Sequence, residues 1–475
     1  MRKCMFEKGK RTAAAAALAF VLAAGSIAGC GGSGGLEEAV QAVGEAVGGQ
    51  GEDSQEAAQG EAAQGEDAQA EGEAAETAPQ LPEYAPVNPE SVPESAEGDF
   101  IYEDYGDSRI YITGYQGPGG QVKIPAHLGG AETMAIMKDA FKTNETITYI
   151  YIPETVTRIE EYSFRDCTGL EEAYIAADAL AIEKSTFRGC TALRRVVLAG
   201  SVSTIEGEMD SGAFQGCTSL TEVVFPDTLN NHIQTNAFYG CTALETVDLS
   251  NTQLQGIGQL AFGYCTNLKT VKLPGTAQWV QCNSFMATPN LQEFDVGEGN
   301  TALEVQDGVV YTIDFCGSES PNTALFGLEG AMSEDLVIRE GTERVTDHAF
   351  QHNQKVRTVT LPDSVTSIGS NAFSDCQKLA QVNFGNGVEL IEQRAFEGCS
   401  SLEEVVLPAS LTEMEDSCFS YCGLKKVSLP DGVKYSSGST TQEYVFAGDK
   451  DAVFTFQGKE YTYDQAAELD ALLAQ

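Results

Sequence analysis

Thirteen cysteines and four histidines carry most of the ligand and redox potential of this 475-residue chain. Eight of the cysteines follow a phenylalanine by three residues: Cys167, Cys190, Cys217, Cys241, Cys265, Cys376, Cys399 and Cys422. Asn144 and Asn353 occupy the same slot. Zinc sites take ligand pairs two to four residues apart, which this spacing does not offer. A disulfide series is the second chemistry to weigh, because stacked turns of chain would bring successive cysteines to about 5 Å, within bridging range. Side chains in such a ladder lie parallel, and a slot that accepts Cys or Asn points to a small inward group near backbone amides. Buried free thiols are therefore expected. Cys282, Cys316 and Cys418 fall off the slot. His348 and His352, four apart, could share a helix face, but a zinc site needs a third ligand and there is no HExxH pattern; exposed surface is the expectation. No nucleophile elbow, phosphate loop or repeated carboxylate pair is found. No catalytic residue, metal ligand or cofactor is assigned.

The cysteine slot belongs to a longer repeat. Phe141, Phe164, Phe187, Phe214, Phe238, Phe262, Phe285, Phe350, Phe373, Phe396 and Phe419 mostly recur at 23 or 24 residues. A fixed period of this length means a solenoid with one coil per repeat. Ahead of each Phe runs a stretch such as Leu402 to Leu407, in which Val405 and Leu407 share one face as in a short strand. Pro153, Pro226, Pro274, Pro362, Pro408 and Pro430 then stop the strand. Five residues before most Phe stands another apolar residue, for example Ile159, Ile182, Ile233 and Ile391. The turn into Ala-Phe is expected to be helical or 3₁₀, with the Phe plugging the coil. The 27-residue gap from Phe187 to Phe214 predicts a bulge around residues 206–210. Coils stacked at about 4.8 Å give a continuous parallel sheet on one side and a ladder of Phe on the other.

The Ala-Phe-x-x-Cys coil resembles the BspA-type leucine-rich repeat. That resemblance implies an arc with a parallel β-sheet on its concave side and short helical or 3₁₀ turns on its convex side. Ile110 to Tyr115 and Val122 to Pro125 are similar to the usual start of such proteins, and Asp307-Gly308-Val309-Val310-Tyr311 to their hairpin insert. The expected organisation is a cap at 99–134, a first array at 135–300, a hairpin insert and degenerate coil at 301–345, a second array at 346–435, and a C-terminal cap of hairpin and short helix at 436–475.

The N-terminus is read as targeting rather than fold. A basic start (Arg2, Lys3, Lys8, Lys10, Arg11) precedes an apolar stretch too short for a stable span. Ile27-Ala28-Gly29-Cys30 then resembles a bacterial lipobox. The resemblance implies a signal peptide at 1–29 and a diacylglycerol on the Cys30 thiol. Residues 30–98 follow as a tether. From Gly31 to Asp99 there are 17 acidic residues and no Lys or Arg. Such a stretch cannot offset its ordering entropy and should be extended and disordered, with a reach of roughly 45 Å.

The whole chain carries a net charge of −42, which argues against a nucleic-acid partner. A solute receptor would need two lobes and a cleft, which coils do not supply. The expectation is a non-catalytic adhesion or binding protein, lipid-anchored on the extracellular side of a bacterial membrane. Its ligand is a protein or glycan, and its oligomeric state is open. The alternative is a structural envelope protein contacting cell wall or neighbouring copies. The outward slots of the first strands favour contact: Tyr149, Tyr151, Tyr174, Arg195, Val197 and Val224 form adjacent rows, and aromatic residues give rigid contact area at low entropic cost.

Overall fold

The structure, a computed structural model, describes residues 85–314, 319–435 and 445–473. The segment read as a signal peptide, Cys30, the expected tether up to residue 84 and Cys316 lie outside the described residues. No described helix is long and apolar enough to cross a membrane.

Each coil contributes two strands to two parallel ladders. The wide ladder begins with Gly120–Lys123, Ile147–Ile152, Glu172–Ile175, Arg195–Leu198 and Glu222–Val224, paired in that order. It resumes with Thr246–Asp248, Thr270–Lys272 and Glu293–Asp295, and again in the second array from Asp335–Val337 onward. The narrow ladder consists of two-residue strands such as Ala181–Ile182, Thr204–Ile205, His232–Ile233, Gly256–Ile257 and Trp279–Val280. The apolar residue five before most Phe sits here, and Ile205, nine before Phe214, takes the same place. Ile182, Ile205, Ile233, Ile257 and Val280 pair in register and are buried. Ile205 keeps this register in spite of the long gap, so the extra residues bulge out after it, leaving Met209 exposed.

The third side of the coils from Phe141 to Phe419 carries the phenylalanines on turns, and it is not helical. In most coils the residues two before and two after Phe have positive φ, as Tyr162 and Asp166 around Phe164, Asn236 and Gly240 around Phe238, and Leu260 and Tyr264 around Phe262; around Phe214 and Phe285 only the second position, Gly216 or Ala287, does. Two left-handed residues within five rule out a helical turn, for which successive right-handed residues are needed. This corrects the expectation of helical or 3₁₀ turns on the convex side. The gain from this conformation is a hydrogen-bond ladder to the next coil. The N–H groups of Tyr162, Phe164 and Asp166 donate to the carbonyls of Lys184, Thr186 and Arg188 at 3.3, 2.9 and 2.7 Å. The same spacing sets the rings in register. Phe141, Phe164, Phe187, Phe214, Phe238, Phe262 and Phe285 stack with centroid separations of 4.7 to 5.4 Å.

The second array stacks Phe350, Phe373, Phe396 and Phe419 in the same way, and Phe446 continues the series at 5.7 Å. The expected C-terminal cap therefore begins with one more coil. A hairpin, Val453–Phe456 with Lys459–Thr462, and a helix, Ala466–Leu473, follow. At the N-terminus, Arg109–Tyr115 already pairs in parallel with Ala131–Ile136, and Tyr115 stacks on Phe141 at 5.5 Å.

The insert joins the arrays rather than separating them. Val309–Thr312 is antiparallel to both Leu303–Gln306 and Thr323–Gly327, and is buried along its length. Val310 packs into the core of the first array, while Val309 and Tyr311 pack into that of the second. Alternation along one strand thus serves both cores.

All ten described cysteines are free. The eight in the repeat slot each donate a thiol hydrogen to the Phe carbonyl of the preceding coil, with S···O distances of 3.0 to 3.3 Å. The Cys partner is thus a carbonyl rather than the amides expected. Asn does meet amides: Asn144 Oδ1 accepts from Thr146 and Ile147, and Asn353 Oδ1 from Lys355 and Val356. Cys418 fills the small-residue slot before Phe419, equivalent to Ala395 before Phe396, and is buried. Burial raises the thiols of Cys190, Cys217, Cys241, Cys376, Cys399, Cys418 and Cys422, and pushes Cys265 up to about 12, which disfavours the reactive thiolate.

Candidate ligand-facing surface

The outer face of the first five wide strands carries two rows fixed by register. One runs Lys123, Tyr151, Tyr174, Val197, Val224; the other runs Gln121, Tyr149, Glu172, Arg195, Glu222. Alternation along each strand sends these side chains outward and their neighbours Ile150, Ala173 and Val196 inward.

In the first row, the Lys123 ammonium stands 4.8 Å over the Tyr151 ring, and Tyr151 and Tyr174 stack at 5.4 Å with 9° between planes. Tyr151 also donates to Glu154 Oε2 at 3.3 Å. Burial, and then the Glu154 carboxylate, push its hydroxyl up to about 12, so the phenol stays uncharged across the ordinary pH range. Val197 is only 7% exposed, whereas Val224 is 38% exposed at the end of the row. Tyr151 and Tyr174 are half-buried and Val224 is exposed, so this row keeps accessible surface.

The second row differs from the expectation. Tyr149 is 1% exposed and Glu172 is 1% exposed. Arg195 bridges Glu172 and Glu222, each at 2.9 Å, which holds its guanidinium within the sheet. The cover over Tyr149 is the chain itself. The Val87 N–H donates to Glu172 Oε2 at 2.9 Å, and the Lys123 ammonium reaches the Pro89 carbonyl at 3.4 Å. Ser95 exchanges two bonds with Lys123: its N–H donates to the Lys123 carbonyl, and its Oγ accepts the Lys123 N–H. Residues 85–95 thus form a strap over the outer face, with Val92 buried. Tyr149 and Val92 are both buried yet belong to neither interior core. The reading of residues 85–98 as disordered tether, and of Tyr149 as open surface, is corrected by these contacts. The Tyr149 hydroxyl is buried with no hydrogen-bond partner. Burial, and then the Glu172 carboxylate, hold it above the ordinary phenol range.

The histidine pair lies at the joint between arrays. His348 and His352 occupy the two left-handed positions around Phe350, so no helix face unites them. His348 Nδ1 faces Gln351 Oε1 at 2.7 Å, and His352 Nδ1 stands 3.5 Å from Asp375. Both are half-buried rather than exposed. Burial lowers His352 below the usual histidine range despite the Asp375 charge. Among the described residues, no group of three or more His, Cys, Asp or Glu is placed to hold a metal ion.

No curated protein matches the chain. Among solved structures, the chain is similar to a leucine rich cell surface protein from Faecalibacterium prausnitzii at 22% identity, covering 73% of this chain and 96% of that one, with a TM-score of 0.51. A leucine-rich repeat protein from Bacteroides ovatus matches at 20% identity over 71% of this chain and 88% of that one, TM-score 0.43. The pneumococcal vaccine antigen PcpA matches at 16% over 78% and 94%, TM-score 0.45. Six copies of the BspA type leucine rich repeat region match residues 130–209, 207–306 and 329–451, which is more than half of the sequence. The chain belongs to the BspA-type leucine-rich repeat family.

Proposed function

We propose that this is a non-catalytic, surface-displayed binding protein that contacts a protein or glycan ligand through the outer face of its first five wide strands. The observation that carries the reading is the row of Lys123, Tyr151, Tyr174 and Val224. It presents a stacked aromatic pair with a cation at one end and open aliphatic surface at the other. Preordered rings lose little entropy on contact, which is why aromatic residues dominate binding energy at interfaces. The double change Tyr151→Ser and Tyr174→Ser is expected to weaken binding to arrayed glycans or immobilised matrix proteins at least tenfold. Binding unchanged by both substitutions would remove this face from consideration.

Display follows from the lipobox-like sequence ending at Cys30. Two or three acyl chains on one residue hold a protein on a bilayer where a single chain is marginal. Cys30→Ala is expected to release the protein into the medium and abolish incorporation of labelled fatty acid. Retention of either signal in the variant would show that anchoring takes another route.

A further inference from the structure

We infer that the outer face of the first five wide strands is a receptor for an extended peptide, and that the strap of residues 85–95 is its resident, displaceable occupant. The inference rests on the reading of this face as the ligand-binding surface, and it names the ligand class.

The strap is held mainly through groups that any peptide possesses. Its Val87 N–H meets a buried carboxylate, its Pro89 carbonyl meets the Lys123 ammonium, and its Ser95 N–H meets the Lys123 carbonyl. The Ser95 hydroxyl and the buried Val92 side chain add sequence-dependent contacts, and the side chains of Val87 and Pro89 are half-buried. Main-chain bonds with one or two side-chain pockets are the way sheet edges recognise extended peptides, and the strand Gly120–Lys123 that Ser95 bonds is the edge of this sheet. The strap is also an imperfect occupant. It seals the Tyr149 hydroxyl from solvent without giving it an acceptor, and an unmade bond of this kind is expensive. A peptide that places a carbonyl over Tyr149 would recover it. Glu172 adds direction: its carboxylate accepts from Arg195 on one oxygen and from the strap on the other, so an incoming chain must bring an N–H to that position. Pro86, Pro89 and Pro93 fix three φ angles of the strap, which lowers the entropy lost on each docking.

The test uses the full chain and a fluorescent synthetic peptide with the sequence of residues 82–98. Val92→Asp places a carboxylate in the buried site, and Val87→Pro removes the N–H that meets Glu172. Each is expected to raise hydrogen exchange in residues 85–95 while leaving the repeat coils protected. The peptide is then expected to bind the opened variants at least tenfold more tightly than the wild type, whose own strap competes. Adding Glu172→Ala to Val92→Asp should reduce that binding at least fivefold. If exchange rises but the peptide fails to bind, the face is not a peptide receptor. If neither variant raises exchange, the strap is a fixed part of the fold and the inference fails. If glycans, and not the peptide, bind more tightly to the opened variants, the ligand class is wrong. Should ligands found through the Tyr151 and Tyr174 test bind wild type and opened variants equally, the surface reading survives and the strap proposal does not.

Discussion

Phe238→Ala is expected to destabilise the first array by about 3–5 kcal/mol, the upper range for truncating a core aromatic. Phe238 is fully buried, stacked on Phe214 at 5.0 Å and on Phe262 at 5.1 Å, with interplanar angles of 7° and 2°. Removing the ring leaves a gap between two parallel phenyl faces. Relaxation into that gap is blocked, because the coils on either side are held by their backbones. Phe214 N–H donates to Ala237 at 2.7 Å and Phe238 N–H to Ala261 at 2.8 Å, and the narrow strands pair at His232–Ile233 on both edges. A site that cannot collapse keeps its whole cavity penalty, and the loss of two stacked contacts adds to it. The chain supplies its own reporter. Trp279, its single tryptophan, reaches across Gly256 to His232, which lies in the coil of Phe238, with ring centroids 5.1 Å apart. Denaturant titration followed by tryptophan fluorescence should therefore show the first-array transition move to lower denaturant. Stability in a solenoid is a sum of coil and interface terms, so the second array should move less when followed through a reporter placed near Phe396. A shift equivalent to less than about 1 kcal/mol would mean that the ring ladder contributes little beyond filling space.

The ring ladder was legible because it repeats: a side chain that must meet its own copy in the next coil recurs at the coil length. The narrow ladder was not, since a two-residue strand such as Ala181–Ile182 is too short to display alternation. Left-handed turns escaped for a different reason. The residues that adopt them, Tyr162, Ser185, Leu260 and Arg394 among them, are of unrelated types. Their conformation follows from the interchain-like bonding of one coil to the next, not from local preference. Phe446 was missed because Val445 replaces Ala before it, Asp449 replaces Cys after it, and the gap from Phe419 is long.

The candidate surface was half legible. Register placed Tyr151 and Tyr174 side by side, as period-2 reasoning requires. The strap was invisible because its composition is that of a linker and its partners are far away in sequence: Val87 meets Glu172 across 85 positions, and Pro89 meets Lys123 across 34. A Pro-containing, acidic segment reads as solvated until the surface it lies on is known. That surface also decides Tyr149, which β-propensity and position would leave open and which the strap closes.

Asp449→Asn should be nearly neutral at pH 8, whereas Asp449→Ala should cost about 3 kcal/mol, because it strips the acceptor from several buried donors at once. Asp449 stands in the repeat slot taken elsewhere by Cys, and its carboxylate reaches back into the preceding coil. Oδ1 accepts from the N–H groups of Gly423 at 2.6 Å and Leu424 at 3.0 Å, and Oδ2 from that of Cys422 at 3.4 Å. Asn144 and Asn353 make the equivalent two-amide contact with a neutral side chain in their own coils, so an amide at 449 keeps the two shorter bonds. The carboxylate, by contrast, is buried. Burial outweighs the three N–H donors and raises it from 3.8 to about 6. The sign of the linkage follows. Between these two values the folded state holds more protons than the unfolded chain, so this group's contribution to stability falls as pH rises and is fully lost above about 6. Glu183, Glu206, Glu329 and Glu415 are also raised, chiefly by burial, and act in the same direction. Comparing wild type with Asp449→Asn at each pH cancels those contributions. The difference in unfolding free energy should favour the wild type increasingly as pH drops from 7 to 4, and be flat above 7. The opposite slope would mean that the three amides, not burial, control the group, and that Asp449 is a charged cap locking the last coil of the ladder.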